Sequence, residues 1–222
     1  MIENRKINGC VTVNANNVTI RNSEIICNGS YAIWSGGTGL LVEDTILECA
    51  HRPGTGAITP QNYTVRRSEL FGCENILWAS RNVVIADNYI HDPIPCCTWP
   101  SPIPHTDSVQ IPSGGSNIRI DHNRIYGGYI NQSDFGNAAI TMGGNVSGIV
   151  VNNNILAGGG YTIYCEQENL GGNGSPQPQY TNNRFSRIFV SSVGGFGPAT
   201  ACADEIQSGN VYHETGAPLS LR

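Results

Sequence analysis

Three of the chain's five histidines fall within 32 residues of one another, at His91, His105 and His122. His91 and Asp92 close one strand-like segment, and His105 and Asp107 open the next. Between them runs HDPIPCCTWPSPIPHT (91–106), whose five prolines make a stiff wall rather than a loose linker. Both ends of such a loop return to one corner of the framework, so these four side chains are expected to lie together. Imidazole exchanges protons near neutrality, and a neighbouring carboxylate fixes its tautomer and raises its basicity. The chemistry would be proton transfer, with His105 as base or relay and Asp107 as its orienting carboxylate. Asp92 and Asp107 could instead form an inverting hydrolytic pair, which needs a separation of about 6.5–9.5 Å. The plainer reading is that His105 and Asp107 are turn residues that anchor the loop. His122 and Arg124 fall on a different corner, on the order of 10 Å away at strand rises of about 3.3 Å per residue.

Gln110 comes next on the strand that Asp107 opens, and it points outward if Val109 and Ile111 point inward. Equivalent positions in neighbouring segments place Trp34, Thr59, Gln110, Thr141 and Tyr164 in one outward row, joined by Trp78 or Leu77 depending on register. Polar and aromatic side chains about 4.8 Å apart suit a sugar chain, which stacks on rings and hydrogen-bonds amides. An ordinary solvent face is the alternative. A uronate would need its carboxylate neutralised before an α-proton leaves. Arg81, Arg52 in HRPGTG (51–56) and Arg124 are the candidates, each otherwise a solvated turn arginine. No cofactor is required. Calcium is possible through Asp92 and Asp107 with backbone carbonyls, although no EF-hand loop is present.

The elements that hold these residues come from a repeat. One eight-residue phrase recurs as VTIRNSEI (18–25), LLVEDTIL (40–47), YTVRRSEL (63–70), VVIADNYI (83–90), IRIDHNRI (118–125), IVVNNNIL (149–156) and PQYTNNRF (178–185). Positions one, three and eight are mostly apolar, which is strand periodicity. Position six is Ser23, Thr45, Ser68, Asn88, Asn123, Asn154 and Asn183. Small polar residues at one place in every repeat predict a buried ladder in which each amide bonds the rungs above and below. A further strand precedes most phrases, as in YAIWSG (31–36), GAITP (56–60), NILWAS (75–80) and DSVQIP (107–112). Units of this length cannot bury their own apolar faces and must stack. The pattern predicts an all-β fold, a right-handed parallel β-helix of about seven or eight coils. The chain reads as one domain, 1–222, with coils over 8–190 and a capping segment over 191–222. A β-propeller fits less well, because its blades usually run to about 40–45 residues. The long loops all fall in the C-terminal half.

The NVTIRNSEI-type coils, YIHD (89–92), HTDSVQI (105–111), the NIRIDHNRI coil and LAGGGYTIY (156–164) together resemble the pectate-lyase-like superfamily of right-handed parallel β-helix proteins. The likeness is particularly to bacterial and phage-borne β-helix repeat proteins. The resemblance covers roughly residues 8–215. It implies a carbohydrate-active protein, with cleavage of a uronate-containing polysaccharide by β-elimination as the first expectation. An inverting glycoside hydrolase or a non-catalytic glycan-binding phage or surface module are the alternatives. On the lyase reading His105, Asp107, His91, Asp92 and Arg81 would serve catalysis. Gln110, Trp34, Trp78, Thr141, Tyr164, Arg52, His122 and Arg124 would serve substrate binding.

Composition narrows the partners. Charged residues make up 13% of the chain, about half the usual share of roughly 25%, and the net charge is −5. Nucleic acid is excluded as a partner, because phosphate neutralisation needs clustered Lys and Arg. No apolar run approaches the roughly 18 residues of a membrane helix, and MIENRKINGC at the start has no apolar core of a leader. The expected partner is a polysaccharide, met as a monomer rather than a trimer. Eight cysteines point to an oxidising compartment: secreted or extracellular, with a phage particle as the alternative. Cys27 and Cys49 stand at the same offset in adjacent coils, which predicts a 27–49 bridge. Cys73 could replace either partner, and Cys96 and Cys97 could tie the insertion to the body. Buried free thiols are the alternative.

Overall fold

A computed structural model describes residues 1–49, 56–94, 106–128, 137–165, 177–202 and 205–221. Among these residues there is no helix. The strands form three all-parallel sheets of nine, nine and eight strands, the stacked coils of a right-handed parallel β-helix. The first sheet runs from Ile2–Glu3 to Ile206–Ser208, the second from Lys6–Asn8 to Val211–Tyr212, and the third from Val11–Val13 to Gly197–Thr200. Regular coiling therefore spans 2–212, wider than the 8–190 expected, and most of the segment assigned to a cap completes the last coil. The final residues fold back to close that coil: Val211 bridges to Pro218, Leu219 N–H donates to Asn210 O, and Leu219 and Leu221 are buried.

The phrase supplies the first and second sheets. Position three stacks Ile20, Val42, Val65, Ile85, Ile120 and Val151 inward in parallel register. Position eight stacks Ile25, Leu47, Leu70, Ile90, Ile125 and Leu156. All twelve are 0% exposed. Burial of each such side chain is worth about 1.5–3 kcal/mol, so the column of aliphatics holds the coils in register. The third sheet closes the core with Ile33, Ile58, Leu77, Val109, Ile140 and Ile163.

A two-residue corner joins the first sheet to the second. Its leading residue takes the left-handed conformation in every phrase: Asn22, Asp44, Arg67, Asp87, His122, Asn153 and Asn182. Asn and Asp tolerate this conformation because their short side chains bond locally. Arg67 and His122 depart from that chemistry, and each is held by the carboxylate one rung earlier. Arg67 Nε donates to Asp44 Oδ1 at 2.8 Å, and His122 Nδ1 lies 2.6 Å from Asp87 Oδ1.

The next corner residue is the ladder. All seven position-six side chains are buried, and Asn210 adds an eighth rung. Asn88, Asn123, Asn154 and Asn183 each donate Nδ2–H to the Oδ1 of the asparagine in the next coil, at 2.9, 3.0, 3.0 and 3.2 Å. Each also donates to a backbone carbonyl of the preceding coil. A second, exposed ladder enters the first sheet, where Asn117 Nδ2 donates to Asn82 Oδ1 and Asn82 Nδ2 to Asn62 Oδ1.

The disulfides overturn the expected 27–49 bridge. Cys27 and Cys49 are register partners, yet Cys27 bonds Cys10 and Cys49 bonds Cys73, while Cys165 bonds Cys202. A cysteine inside a stack has a neighbour above and one below, and here each of the two takes the one away from the other. Cys96 and Cys97 lie outside the described residues. Three disulfides fit an extracellular protein.

Candidate functional site

The outward row of the third sheet forms as expected, and the register selects Trp78 over Leu77. Thr12 pairs with Trp34, Trp78 with Gln110, Gln110 with Thr141, and Thr141 with Tyr164. Ile33 and Leu77 both pair with Ile58, which sets Thr59 between Trp34 and Trp78. Thr200 extends the row one rung past Tyr164. Trp34 is 45% exposed, Trp78, Gln110 and Tyr164 are half-buried, and Thr59 and Thr141 are buried between them. Aromatic rings are thus interspersed with small hydroxyls and one amide along one line. Thr59 Oγ1 accepts the Ser35 N–H at 3.0 Å, and the Tyr63 hydroxyl donates to Trp78 O at 2.9 Å from beneath. Gln110 Oε1 is buried without a hydrogen-bond partner among the described residues.

Asp107 opens the central strand of this face, Asp107–Ile111, and is fully buried. Its Oδ1 accepts from the Thr141 hydroxyl and from Asn137 Nδ2, the latter at 2.9 Å. Asn137 Nδ2 also reaches Thr141 Oγ1 at 3.2 Å, and Asn75 Oδ1 takes the Asp107 N–H at 2.9 Å. The carboxylate therefore fixes the orientation of a row hydroxyl. Burial, then the charge of Asp107 and the neighbouring Tyr161, push the Tyr164 hydroxyl up from its ordinary value. Tyr164 stands edge-on to Tyr161 at 5.6 Å.

His91 and Asp92 make their contacts on the second sheet instead. His91 Nδ1 lies 2.8 Å from Asp92 Oδ2 and Nε2 lies 3.0 Å from Glu69 Oε1. The imidazole stacks between Tyr89 at 4.0 Å and Phe71 at 5.2 Å. Asp92 is well exposed, with the left-handed backbone of a turn residue. The hydrogen bonds described for Asp107 stay on the third sheet. His105 and Arg52 lie outside the described residues. Arg81 is exposed at the start of the first sheet's strand Arg81–Ala86, three residues past Trp78. His122 and Arg124 meet at the corner of the first and second sheets, where they line a groove of about 490 Å³ with Tyr89 and Arg184.

Sequence reasoning passed over several of these residues. Asn75 and Asn137, which hold Asp107, each begin a third-sheet segment, in NILWAS and NAAITMG, and that position was the available signal. Phe71, Tyr126 and Phe189 form an aromatic band with Tyr89 and His91. Tyr126 stands edge-on to Tyr89 at 5.8 Å and to Phe189 at 5.1 Å. One grouping of metal-ligand side chains occurs among the described residues, Cys165, Cys202 and Glu205, but its two sulfurs are bonded to each other.

Three parallel sheets, an internal asparagine ladder and an aromatic–hydroxyl row on one outer face define this chain as a parallel β-helix protein. Comparison with family models, curated proteins and solved structures found no match.

Proposed function

We propose that this β-helix is a carbohydrate-active protein that holds an extended, uronate-containing polysaccharide along the outer face of the third sheet and cleaves it by β-elimination. The observation that carries the reading is the row Trp34, Thr59, Trp78, Gln110, Thr141 and Tyr164, one side chain per rung, with a buried carboxylate fixed beneath Thr141. Rungs about 4.8 Å apart match the repeat of an extended sugar chain. Trp34, Trp78 and Tyr164 supply stacking surfaces, and the Gln110 amide donates to a sugar oxygen.

In β-elimination the hydrogen α to the uronate carboxylate leaves as a proton. Its electron pair forms a carbon–carbon double bond, and the glycosidic oxygen departs from the β carbon and takes up a proton. His105 is the base in this reading, Asp107 orients the polar groups around it, and Arg81 or Arg52 neutralises the carboxylate. Calcium bound through Asp107 or Asp92 would serve the same neutralising end. The partner is then a polysaccharide met by a monomer, outside the cell or on a phage particle.

A second reading, glycan binding without cleavage, draws support from His91 and Asp92, whose side chains engage Glu69 and the aromatic band rather than Asp107. Incubation with acidic and neutral polysaccharides distinguishes the three. Unsaturated-uronate absorbance and reducing ends rising together mark a lyase. Reducing ends alone mark a hydrolase, and retention on an immobilised glycan with neither signal marks a binder.

A further inference from the structure

We propose that the second sheet carries a separate site for an acidic saccharide, one bearing carboxylate or sulfate groups, in the groove between Tyr89 and Arg184. The saccharide class rests on the carbohydrate reading above; the site rests on its own geometry.

Phrase position seven places Tyr89, Arg124, Ile155 and Arg184 on four successive rungs in strict register. The two arginines are therefore two rungs apart, about 10 Å, with the aliphatic Ile155 as floor between them. His122, from the left-handed corner, forms the side wall.

The charges in this groove are unspent. Lys6, Arg21, Arg66, Arg67 and Arg119 are all engaged in ion pairs. Arg124 and Arg184 pair with no carboxylate among the described residues. Arg124 is held through the Tyr89 ring, 5.9 Å from its centroid, and Tyr89 is itself pinned by the His91 stack. Arg184 is held by His213, donating Nε–H to its Nδ1 and Nη2–H to its backbone O, both at 3.1 Å. Both guanidiniums are thus positioned without being neutralised. Asp87 is the one carboxylate lining the groove, and His122 engages it at 2.6 Å. In a chain of net charge −5 this is a local cationic trough. Guanidinium forks pair with carboxylate and sulfate oxygens in two-point hydrogen bonds. Their two-rung spacing fits anionic groups on alternate units of a chain whose repeat is close to one rung.

The test is calorimetric titration with three oligosaccharides of equal length: a uronate, a sulfated neutral sugar and an unsubstituted neutral sugar. The proteins compared are the parent, the double variant Arg124→Gln/Arg184→Gln, Trp78→Ala on the third sheet, and the triple variant that combines all three substitutions. The expected result is that Trp78→Ala retains binding of at least one acidic oligosaccharide, weakening with salt, and that adding the two arginine substitutions to Trp78→Ala lowers this affinity at least tenfold. Uronate binding alone identifies the carboxylate as the recognised group, and sulfate binding alone the ester. Both side chains are exposed, so melting of the double variant should stay within about 2 °C of the parent. The proposal is overturned if the arginine substitutions leave acidic-sugar affinity unchanged in the Trp78→Ala background, or if the neutral sugar binds there equally well. If instead Trp78→Ala changes no binding while the arginine variant abolishes it, the third-sheet reading fails and this one stands.

Discussion

Replacement of Asn123 by alanine tests whether the buried ladder carries the fold. Asn123 Oδ1 accepts two bonds from Asn88, its backbone N–H and its Nδ2–H, both at 2.9 Å. Asn123 Nδ2 donates to Ile85 O at 2.9 Å, Asp121 O at 3.0 Å and Asn154 Oδ1 at 3.0 Å. After truncation the Asn88 side chain keeps its bond to Val65 O, and Asn154 Oδ1 keeps the Asn123 N–H. The Asn88 backbone N–H loses the acceptor described for it, in a corner that is 4% exposed. A stranded buried donor costs about 1–3 kcal/mol, and loss of the remaining bonds brings the expected total to about 2–3 kcal/mol. For a chain of this size that is a fall in melting temperature of roughly 4–12 °C. The control is Asn117→Gly, which removes one rung of the exposed ladder and keeps the left-handed backbone that glycine adopts freely. Its effect should stay within about 0.5 kcal/mol. Both are read by thermal and urea unfolding monitored by circular dichroism. If Asn123→Ala and Asn117→Gly shift the midpoint equally, buried amide pairing is not what fixes the corners.

The same contacts lead to other outcomes. Reduction should lower the melting temperature, because bridges across separations of 17, 24 and 37 residues each restrict the unfolded chain by about 3–4 kcal/mol; peptide mapping that finds Cys27 linked to Cys49 would refute the pairing. The guanidiniums of Arg66 and Arg67 hold the Glu43 carboxyl below its ordinary value. Its stabilising contribution is present above the usual carboxylate range and is lost as pH falls through and below it, so Glu43→Gln should flatten the acid limb of a stability–pH profile. Along the third sheet, with Arg124→Gln/Arg184→Gln as background, Trp78→Ala should weaken uronate-oligosaccharide binding about tenfold, against a smaller loss for Trp34→Ala at the end of the row; equal binding by all variants in affinity electrophoresis would remove the row from recognition.

Much of the fold was legible because the solenoid repeats its physics. Inward apolar side chains at positions three and eight, aliphatic in six phrases and aromatic in the seventh, and an amide or hydroxyl at position six in all seven, fix the register of two sheets. The ninth coil escaped notice because its inward positions are Glu205 and Gln207. Gln207 Oε1 accepts the Leu221 N–H of the closing segment. The row on the third sheet was legible from strand alternation, and only pairing of Leu77 with Val109 could choose Trp78. The four-residue catalytic corner was not legible to the same degree. That expectation used the return of a loop to one corner, which brings backbones together but does not aim side chains. His91 continues its own strand outward onto the second sheet, where Phe71 and Tyr89 offer stacking faces and Glu69 a carboxylate. Asp107 belongs to a strand of the third.

The same reasoning explains why one chain can carry two outer faces of different chemistry. Inward positions answer to the core and the ladder, which repeat, so they vary only among apolar side chains or between an amide and a hydroxyl. Outward positions answer to nothing inside the coil and can change from rung to rung at little cost in stability. Position seven reads Glu24, Ile46, Glu69, Tyr89, Arg124, Ile155 and Arg184, and the third-sheet row reads Trp34, Thr59, Trp78, Gln110, Thr141 and Tyr164. The first sequence carries two cations on its last three rungs and the second intersperses rings with hydroxyls and one amide, on one shared set of rungs. A substitution on one face should therefore leave the other's binding intact, because the two faces share rungs but no outward side chain.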